Sequence, residues 1–278
     1  MIHLLEILTS SFLIVTKEIT IIILLLVGYV FFNKRVFLNA VSLLLLTMVY
    51  NSFLKELWQK PLNPSLNLEG WAFPSGHMHS SFVWIGYITW HYKRYFFVLL
   101  SSIILIIGIG FSLIFKGYHD FSDVLGALGF GIVTLVFSVF IESLGFFKKR
   151  VWGLPSLFLF LSLLLHCVFL SYKLNQDHLF LANGALLGLS LSSWLVFKIE
   201  KGVFHSSFIE SFLKKCFIFF ITLFGLAGIF YLGFKLKLTF DLNAVIFLTY
   251  AFASCWMVMA PIFVSNSLIL LLTFKNKK

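Results

Sequence analysis

The chain has 278 residues, of which 60% are hydrophobic and 12% charged, and it carries a formal net charge of +10. A soluble domain of this size could not cover its surface with so few polar side chains, so the composition excludes a soluble globular protein and predicts a polytopic membrane protein. The basic residues fall in short loops beside apolar segments, and no soluble module with a basic face is present. Nucleic acid is therefore excluded as a partner, and the lipid bilayer is the expected one.

The apolar segments are long and rich in Leu, Ile and Phe rather than alternating, a pattern that favours helices over barrel strands. A hydrocarbon core about 30 Å thick needs about 20 helical residues per crossing, so we predict an all-α, polytopic transmembrane helix bundle of about nine spans. Residues 1–16 are expected to form an interfacial helix before the first span. The predicted spans lie near 17–32, 36–54, 78–92, 95–115, 122–143, 153–172, 179–198, 215–234 and 244–272.

Lysine and arginine cluster in alternate loops of this arrangement, at 34–35, 93–94, 148–150, 198–215 and the C-terminal tail. By the positive-inside bias, these loops face the cytoplasm. The opposite loops, 55–77, 116–121, 173–178 and 235–243, then face the periplasm or exterior. We expect a multi-pass protein of a bacterial inner (plasma) membrane.

A basic loop and a Gly-Leu-Pro break near residues 146–155 divide the chain. Residues 1–147 form a five-span core with all the polar motifs, and residues 148–278 form a four-span extension. The extension fits a role in packing on the core, in shaping an acyl-chain groove or in binding a partner. Its isolated His166, Asp177 and His178 are interpreted as packing or interfacial residues.

Two histidine motifs flank the predicted hairpin of residues 78–115, which returns both imidazoles to the same side of the membrane. The first motif is Pro74-Ser75-Gly76-His77, immediately before a span. Ser75 can cap that helix, and Gly76 lets the backbone approach a ligand closely. The outward N–H groups of such a helix start can bind phosphate, although a simple helix cap has the same local pattern.

The second motif places His119 and Asp123 four residues apart at the start of a later span, and this spacing puts them on one helical face. Asp123 could then hold the Nδ1–H of His119 and leave Nε2 unprotonated, as a nucleophile or base requires. A solvated helix cap formed by Ser122 and Asp123 is the alternative. A third polar segment, at 51–61, offers Lys55 as a phosphate ligand or as an ordinary interfacial lysine.

Together, these segments resemble the type 2 phosphatidic acid phosphatase superfamily, whose signature is Lys-x6-Arg-Pro, Pro-Ser-Gly-His and Ser-Arg-x5-His-x3-Asp. The resemblance covers about residues 17–143 and matches the second segment in full. It implies a hydrolase of phosphoric esters or diphosphates that needs no metal or other cofactor. It also implies site roles: His77 as general acid, His119 as the nucleophile that forms a phosphohistidine, Asp123 as its orienting partner, and Lys55, Ser75 and Gly76 in phosphate binding.

Both signature arginines are replaced. Leu62-Asn63 stands where the first segment has Arg-Pro, and Leu113 follows the retained Ser112 in the third segment. A lysine supplies a point charge but not the bidentate contact of a guanidinium. Lys60 and Lys116 are the nearest candidates to supply such charges.

Three readings of the site follow. The first is a lipid phosphate phosphatase or phosphotransferase acting at the outer face on a lipid phosphate or diphosphate headgroup. The second is a weak or inactive relative that binds lipid phosphate or serves as a membrane assembly component. The third is a metal site built from His77, His79, His119 and Asp123. It is disfavoured because His77 and His79 lie two residues apart at a helix start, and side chains at that spacing point in different directions.

Overall fold

The computed structural model describes residues 2–169, 177–199, 212–240 and 242–275. Its regular structure is helical throughout these ranges, with a π-helical turn at Gly28–Phe32 and a 3₁₀ turn at Pro64–Leu66, which confirms the predicted all-α class. The α-helices in chain order are α1 (Ile2–Ile14), α2 (Glu18–Val27), α3 (Lys34–Trp58), α4 (Gly76–Tyr92), α5 (Phe96–Phe115), α6 (Phe121–Ser143), α7 (Gly145–Lys149), α8 (Gly153–Phe169), α9 (Asp177–Ile199), α10 (Phe212–Phe240) and α11 (Asn243–Lys275).

Six of the described helices are long and apolar enough to cross a membrane: α3, α5, α6, α9, α10 and α11. α1 and α2 together give a seventh candidate, broken by a bend of 57°. The protein is thus a multi-pass integral membrane protein. Nine crossings remain a prediction, because the segments expected at 78–92 and 153–172 form helices of 17 residues each, shorter than the roughly 20 residues of a full crossing.

α3 lies at the centre of the bundle and packs against α4, α8 and α9. Its start is fixed by Asn33, whose side chain accepts hydrogen bonds from the backbone N–H groups of Arg35 and Val36. Leu38, Leu43 and other apolar side chains along it are fully buried. Because α4 and α9 come from different halves of the chain, α3 joins those halves through a common core.

The segment between α3 and α4 folds back over the end of the bundle. α3 stops at Gln59, which adopts the left-handed conformation with φ 47°. Leu62 N–H then donates to Gly70 O at 3.2 Å, and Ala72 N–H donates to Lys60 O at 2.7 Å. These two backbone hydrogen bonds close residues 60–72 into a compact segment beside the starts of α4 and α6.

A polar cluster ties α3, α4 and α6 together at the opposite end of the bundle. The Tyr87 hydroxyl donates to Glu142 Oε2 at 2.7 Å, and Asn39 Nδ2 donates to Glu142 Oε1 at 3.3 Å. His91 Nε2 lies 3.1 Å from Glu142 Oε2, and Arg35 Nε lies 4.0 Å from Oε1. The Glu142 carboxylate on α6 is therefore a shared partner of polar side chains on α3 and α4.

Replacing Glu142 with leucine is expected to lower the free energy of unfolding by about 3 kcal/mol, because it leaves several buried polar groups without their acceptor. Thermal or denaturant unfolding in detergent measures this loss. Glu6→Leu, at an exposed position of α1, is the matched control and should leave the transition unchanged. Equal stability of the two variants would contradict a structural role for Glu142.

Candidate active site

The site forms where α3 ends and α4 and α6 begin. Ser75 caps α4, and its backbone N–H donates to Asp123 O at 3.1 Å, which places the first turn of α4 against the first turn of α6. Asn51, on the last turns of α3, donates through Nδ2 to Pro74 O at 3.3 Å. The first turn of α4, which carries Gly76 and His77, is thus held from two sides by side-chain and backbone hydrogen bonds.

His119 follows a tight turn at the end of α5. Gly117 adopts φ +68°, a conformation that glycine accepts without strain. The N–H groups of Tyr118 and His119 both donate to Leu113 O, at 3.0 and 3.3 Å. This closed turn delivers the His119 side chain to the start of α6, where it is 7% exposed.

Asp123 lies behind His119 and is 1% exposed. Its Oδ2 lies 3.5 Å from His119 Nδ1, too poorly placed for a hydrogen bond, and accepts from the Asp120 backbone N–H at 3.1 Å. Its Oδ1 accepts from Lys60 Nζ at 2.6 Å. Hydrogen bonds between catalytic groups are often long in an empty site and shorten when substrate binds.

The surroundings of His119 favour the neutral imidazole. Burial lowers the pKa of His119 to about 4, and the positive charge of Lys55 acts in the same direction, while Asp123 opposes both. A neutral ring with Nδ1 facing Asp123 leaves Nε2 with a free lone pair. This is the form that an imidazole nucleophile needs at neutral pH.

The neutral state of His119 can be tested with diethyl pyrocarbonate, which acylates only unprotonated imidazole. With a pKa of about 4, about nine-tenths of His119 is neutral at pH 5, against about 3% of an ordinary histidine of pKa about 6.5. We expect peptide mass spectrometry to find nearly equal labelling rates of His119 at pH 5 and pH 7.

A histidine peptide in the same buffers is the control, and its labelling should slow about 25-fold at the lower pH. An equal slowing of His119 would show that its pKa is not depressed.

The pKa of His119 is lower in the folded protein than in the unfolded chain. Its contribution to the free energy of unfolding is therefore complete above pH 6.5 and is lost as the pH falls towards 4.

His77 and His119 line one cavity of about 640 Å³. Lys55 and Gly76 line the same cavity, and Lys55 Nζ donates to Trp71 O at 2.6 Å. His77 is an exposed residue. His77, His119 and Lys55 therefore line a common volume, and the charge of Lys55 lowers the pKa of both histidines.

The remaining predicted ligands are placed differently. Ser75 is fully buried, and its Oγ accepts from Met78 N–H at 3.5 Å as a helix cap. Lys60 Nζ contacts Asp120, Ser122 and Asp123. Burial lowers the pKa of Lys60, but the hydrogen bonds and negative charges of Asp123 and Asp120 outweigh it, so the pKa is raised. Lys116, half-buried after α5, is not among the residues that line the cavity, and neither are Ser75 and Lys60.

Residues 37–145 match the family model of the PAP2 superfamily. The chain contains a PAP2 superfamily domain. This is the family that the motifs resemble, and its members are metal-independent phosphatases. No curated protein and no solved structure matches the chain.

The two leucines at the signature arginine positions of the PAP2 domain have different surroundings. Leu113 is 1% exposed and packs in the apolar core. Leu62 lines the cavity beside Lys55, His77 and His119. An apolar side chain thus stands at the mouth of the site, where the family signature has a guanidinium group.

The cavity also reaches residues outside the PAP2 domain that sequence reasoning missed. His178 at the start of α9 lines it, as do Lys17 and Glu18 at the bend between α1 and α2. Tyr250 on α11 lines it too, and its hydroxyl donates to Glu18 Oε1. No local motif marks these residues, because only packing between the two halves of the chain brings them to the site.

The metal reading gains no support within the described ranges, where no group of three or more His, Cys, Asp or Glu side chains could hold a metal ion. His79 in particular is turned into the bundle. It is fully buried, and its Nδ1 lies 3.3 Å from Asn51 Nδ2. It is therefore a core residue rather than a partner of His77.

Proposed function

We propose that the protein is an integral membrane lipid phosphate phosphatase or phosphotransferase that works through a phosphohistidine on His119. The observation that carries this proposal is the convergence of His77 and His119 on one cavity, with Asp123 behind His119. A PAP2 domain covers all three residues. A site that only bound phosphate would need neither a neutral imidazole nor a carboxylate placed behind it.

The first half of the reaction transfers the phosphoryl group to the protein. The Nε2 lone pair of His119 attacks phosphorus, the bond from phosphorus to the leaving oxygen breaks, and protonated His77 gives its proton to that oxygen. Asp123 stabilises the positive charge that the His119 ring acquires as the new nitrogen–phosphorus bond forms. The products of this half are the lipid alcohol, or lipid monophosphate from a diphosphate, and phosphohistidine.

The second half regenerates the site. His77, now neutral, takes a proton from water, the resulting hydroxide attacks phosphorus, and the bond to His119 Nε2 breaks to release inorganic phosphate. An acceptor alcohol in place of water would make the protein a phosphotransferase. In both halves, the charge on the phosphoryl oxygens is countered by Lys55 and by the backbone N–H groups at the start of α4.

Phosphate release from a panel of lipid phosphates tests the proposal. The panel comprises phosphatidic acid, phosphatidylglycerophosphate, undecaprenyl diphosphate and lipid A phosphates, each presented in detergent with purified protein. The covalent step predicts a second signal, because reversal of the last step exchanges ¹⁸O from labelled water into free phosphate. Absence of turnover on every substrate, together with absence of exchange, would overturn the proposal.

A specific observation favours one other function, the binding of lipid phosphate without hydrolysis. Leucines replace both signature arginines, and the ammonium group of Lys60 is held by the carboxylates of Asp120 and Asp123. A protein of this kind would retain a lipid phosphate in detergent and release no phosphate from it. The same panel separates the two functions when bound lipid and free phosphate are both measured.

The distribution of basic residues among the loops supports a location of this site at the outer face of a bacterial inner (plasma) membrane. Lys55, His77 and His119 belong to the loops and helix ends on the side opposite the basic loops. A lipid phosphate would then enter from the outer leaflet. Labelling of a Ser122→Cys variant in intact cells by a membrane-impermeant thiol reagent tests this orientation, and protection from that reagent until the cells are lysed would contradict it.

A further inference from the structure

The cavity that begins at His77 and His119 extends deep into the bundle. Along α3, its lining runs from Lys55 back to Val41. At a rise of 1.5 Å per residue, this stretch of α3 is about 21 Å long. Half of a hydrocarbon core about 30 Å thick is about 15 Å, so the cavity is as deep as one leaflet of a bilayer.

The two ends of the cavity differ in chemistry. Lys55 and the histidines line its mouth, whereas its depth is lined by apolar side chains such as Leu25 on α2 and Leu44 on α3. The ligand that fits such a space has a phosphate at one end and a hydrocarbon chain behind it. A free phosphate ion or a water-soluble phosphate ester would leave the apolar depth unused.

The far wall of the cavity comes from helices outside the PAP2 domain. Ala185 on α9 and Ala253, Ser254 and Met257 on α11 line it. Ala185 and Ala253 are each 3% exposed, and their small side chains form part of the cavity wall. α9 and α11 are also the most extensively packed pair of helices in the bundle, which fixes the position of this wall.

Hydrogen bonds across the chain hold the two halves together around this space. The buried Tyr29 hydroxyl, in the π-helical turn that follows α2, donates to Val258 O on α11 at 3.2 Å. The Tyr250 hydroxyl donates to Glu18 at the start of α2. α11 is therefore joined at two levels to α2 and the turn that follows it, and the cavity between them belongs to the folded monomer.

We propose that this cavity binds the hydrocarbon chain of the phosphate substrate, so that the C-terminal helices α9 to α11 form a chain-binding site that selects lipids with one chain behind the phosphate. The proposal rests on the function proposed above and names its substrate class, a single-chain alkyl or prenyl phosphate or diphosphate. The phosphate lies between His77 and His119, and the chain follows α3 towards the membrane interior. The helices beyond the PAP2 domain thereby acquire a role in specificity.

Filling the cavity from its far wall tests the site by activity. Ala253→Phe and Ala185→Phe each place a ring in the proposed path of the chain. We expect the ratio of kcat/KM for hexadecyl phosphate to kcat/KM for butyl phosphate to fall about tenfold in each variant, as an overpacked apolar site loses its ligand. Phe252→Trp is the matched control, because this neighbouring side chain is 64% exposed on the outside of α11, and its ratio should stay at the wild-type value. A ratio unchanged in folded Ala253→Phe and Ala185→Phe would overturn the proposal.

Photocrosslinking of the wild-type protein tests the same site without variants and without turnover. The probe is a hexadecyl phosphonate, which cannot be hydrolysed, with a diazirine at the far end of its chain. We expect its label on α9 and α11, near Ala185 and Met257, and at least fivefold weaker labelling by the same chain ending in an alcohol. Label confined to lipid-facing residues of α5 and α6, or equal labelling by the alcohol, would overturn the proposal.

The two experiments also separate this proposal from the proposed function. Phosphonate-dependent label on α9 and α11 without any phosphate release would retain the chain site and reject the phosphatase. Phosphate release with label only on α5 and α6 would retain the phosphatase and reject the chain site.

Discussion

Replacing His119 with alanine is expected to lower kcat/KM for phosphate release by roughly four orders of magnitude or more, because no covalent intermediate can form without the attacking nitrogen. The neutral ring of His119 lies at the mouth of the cavity with Asp123 behind it, and His77 is needed to protonate the leaving oxygen. Phosphate release and ¹⁸O exchange should disappear together. Both are measured on purified protein with the best substrate of the panel.

His3→Ala is the matched control for this variant, because His3 is an exposed histidine on α1 far along the chain from the site. It should retain wild-type turnover. Equal unfolding temperatures of the two variants and the wild type establish that lost activity is not lost structure. Turnover that survives in His119→Ala would reject the phosphohistidine mechanism, whatever the fate of the chain-binding site.

The second large effect is expected at Asp123, where Asp123→Asn should lower kcat by roughly a thousandfold and change KM little. The asparagine keeps the shape of the side chain and can still accept from the Asp120 backbone N–H, but it no longer stabilises the charge that His119 gains in the transition state. Steady-state kinetics on a lipid phosphate separate kcat from KM. A merely structural role would instead change stability and KM together.

Asp120→Asn serves as the control for the loss of a carboxylate beside Lys60. The Asp120 side chain also accepts from Lys60 Nζ, at 3.1 Å, but it is 73% exposed, whereas Asp123 is 1% exposed. Its activity should stay within about threefold of the wild type, since an exposed ion pair contributes little free energy. Equal losses in the two variants would mean that Lys60, rather than His119, is the group that needs Asp123.

Leu62 and Leu113 illustrate how far a motif can be interpreted from sequence. The replacement of both arginines is evident from residue spacing alone. Their surroundings are not, because Leu113 is buried in the core while Leu62 faces the cavity. Lys60 shows the same limit, since its place near the missing arginine suggested a phosphate ligand but its ammonium group contacts three side chains at the start of α6.

The sequence by itself determined the membrane setting, the helical class and the residues of the PAP2 motifs. Length of apolar segments, composition and the spacing of His119 and Asp123 are local properties, and bilayer thickness and helix geometry translate them directly into structure. The sequence determined the number of spans only in part. α4, whose first turn contains the polar residues His77 and His79, has 17 residues, fewer than the roughly 20 that a full crossing needs.

Only the tertiary structure decided what surrounds the reacting groups. His178, interpreted from sequence as a packing or interfacial residue, lines the same cavity as His77, and Ala185 and Ala253 leave open the space behind it. These residues lie more than 50 positions from the histidine motifs, and their approach depends on how α9 and α11 pack against α2 and α3. Such packing is set by the complementary shapes of many side chains at once, which no local pattern in the chain records.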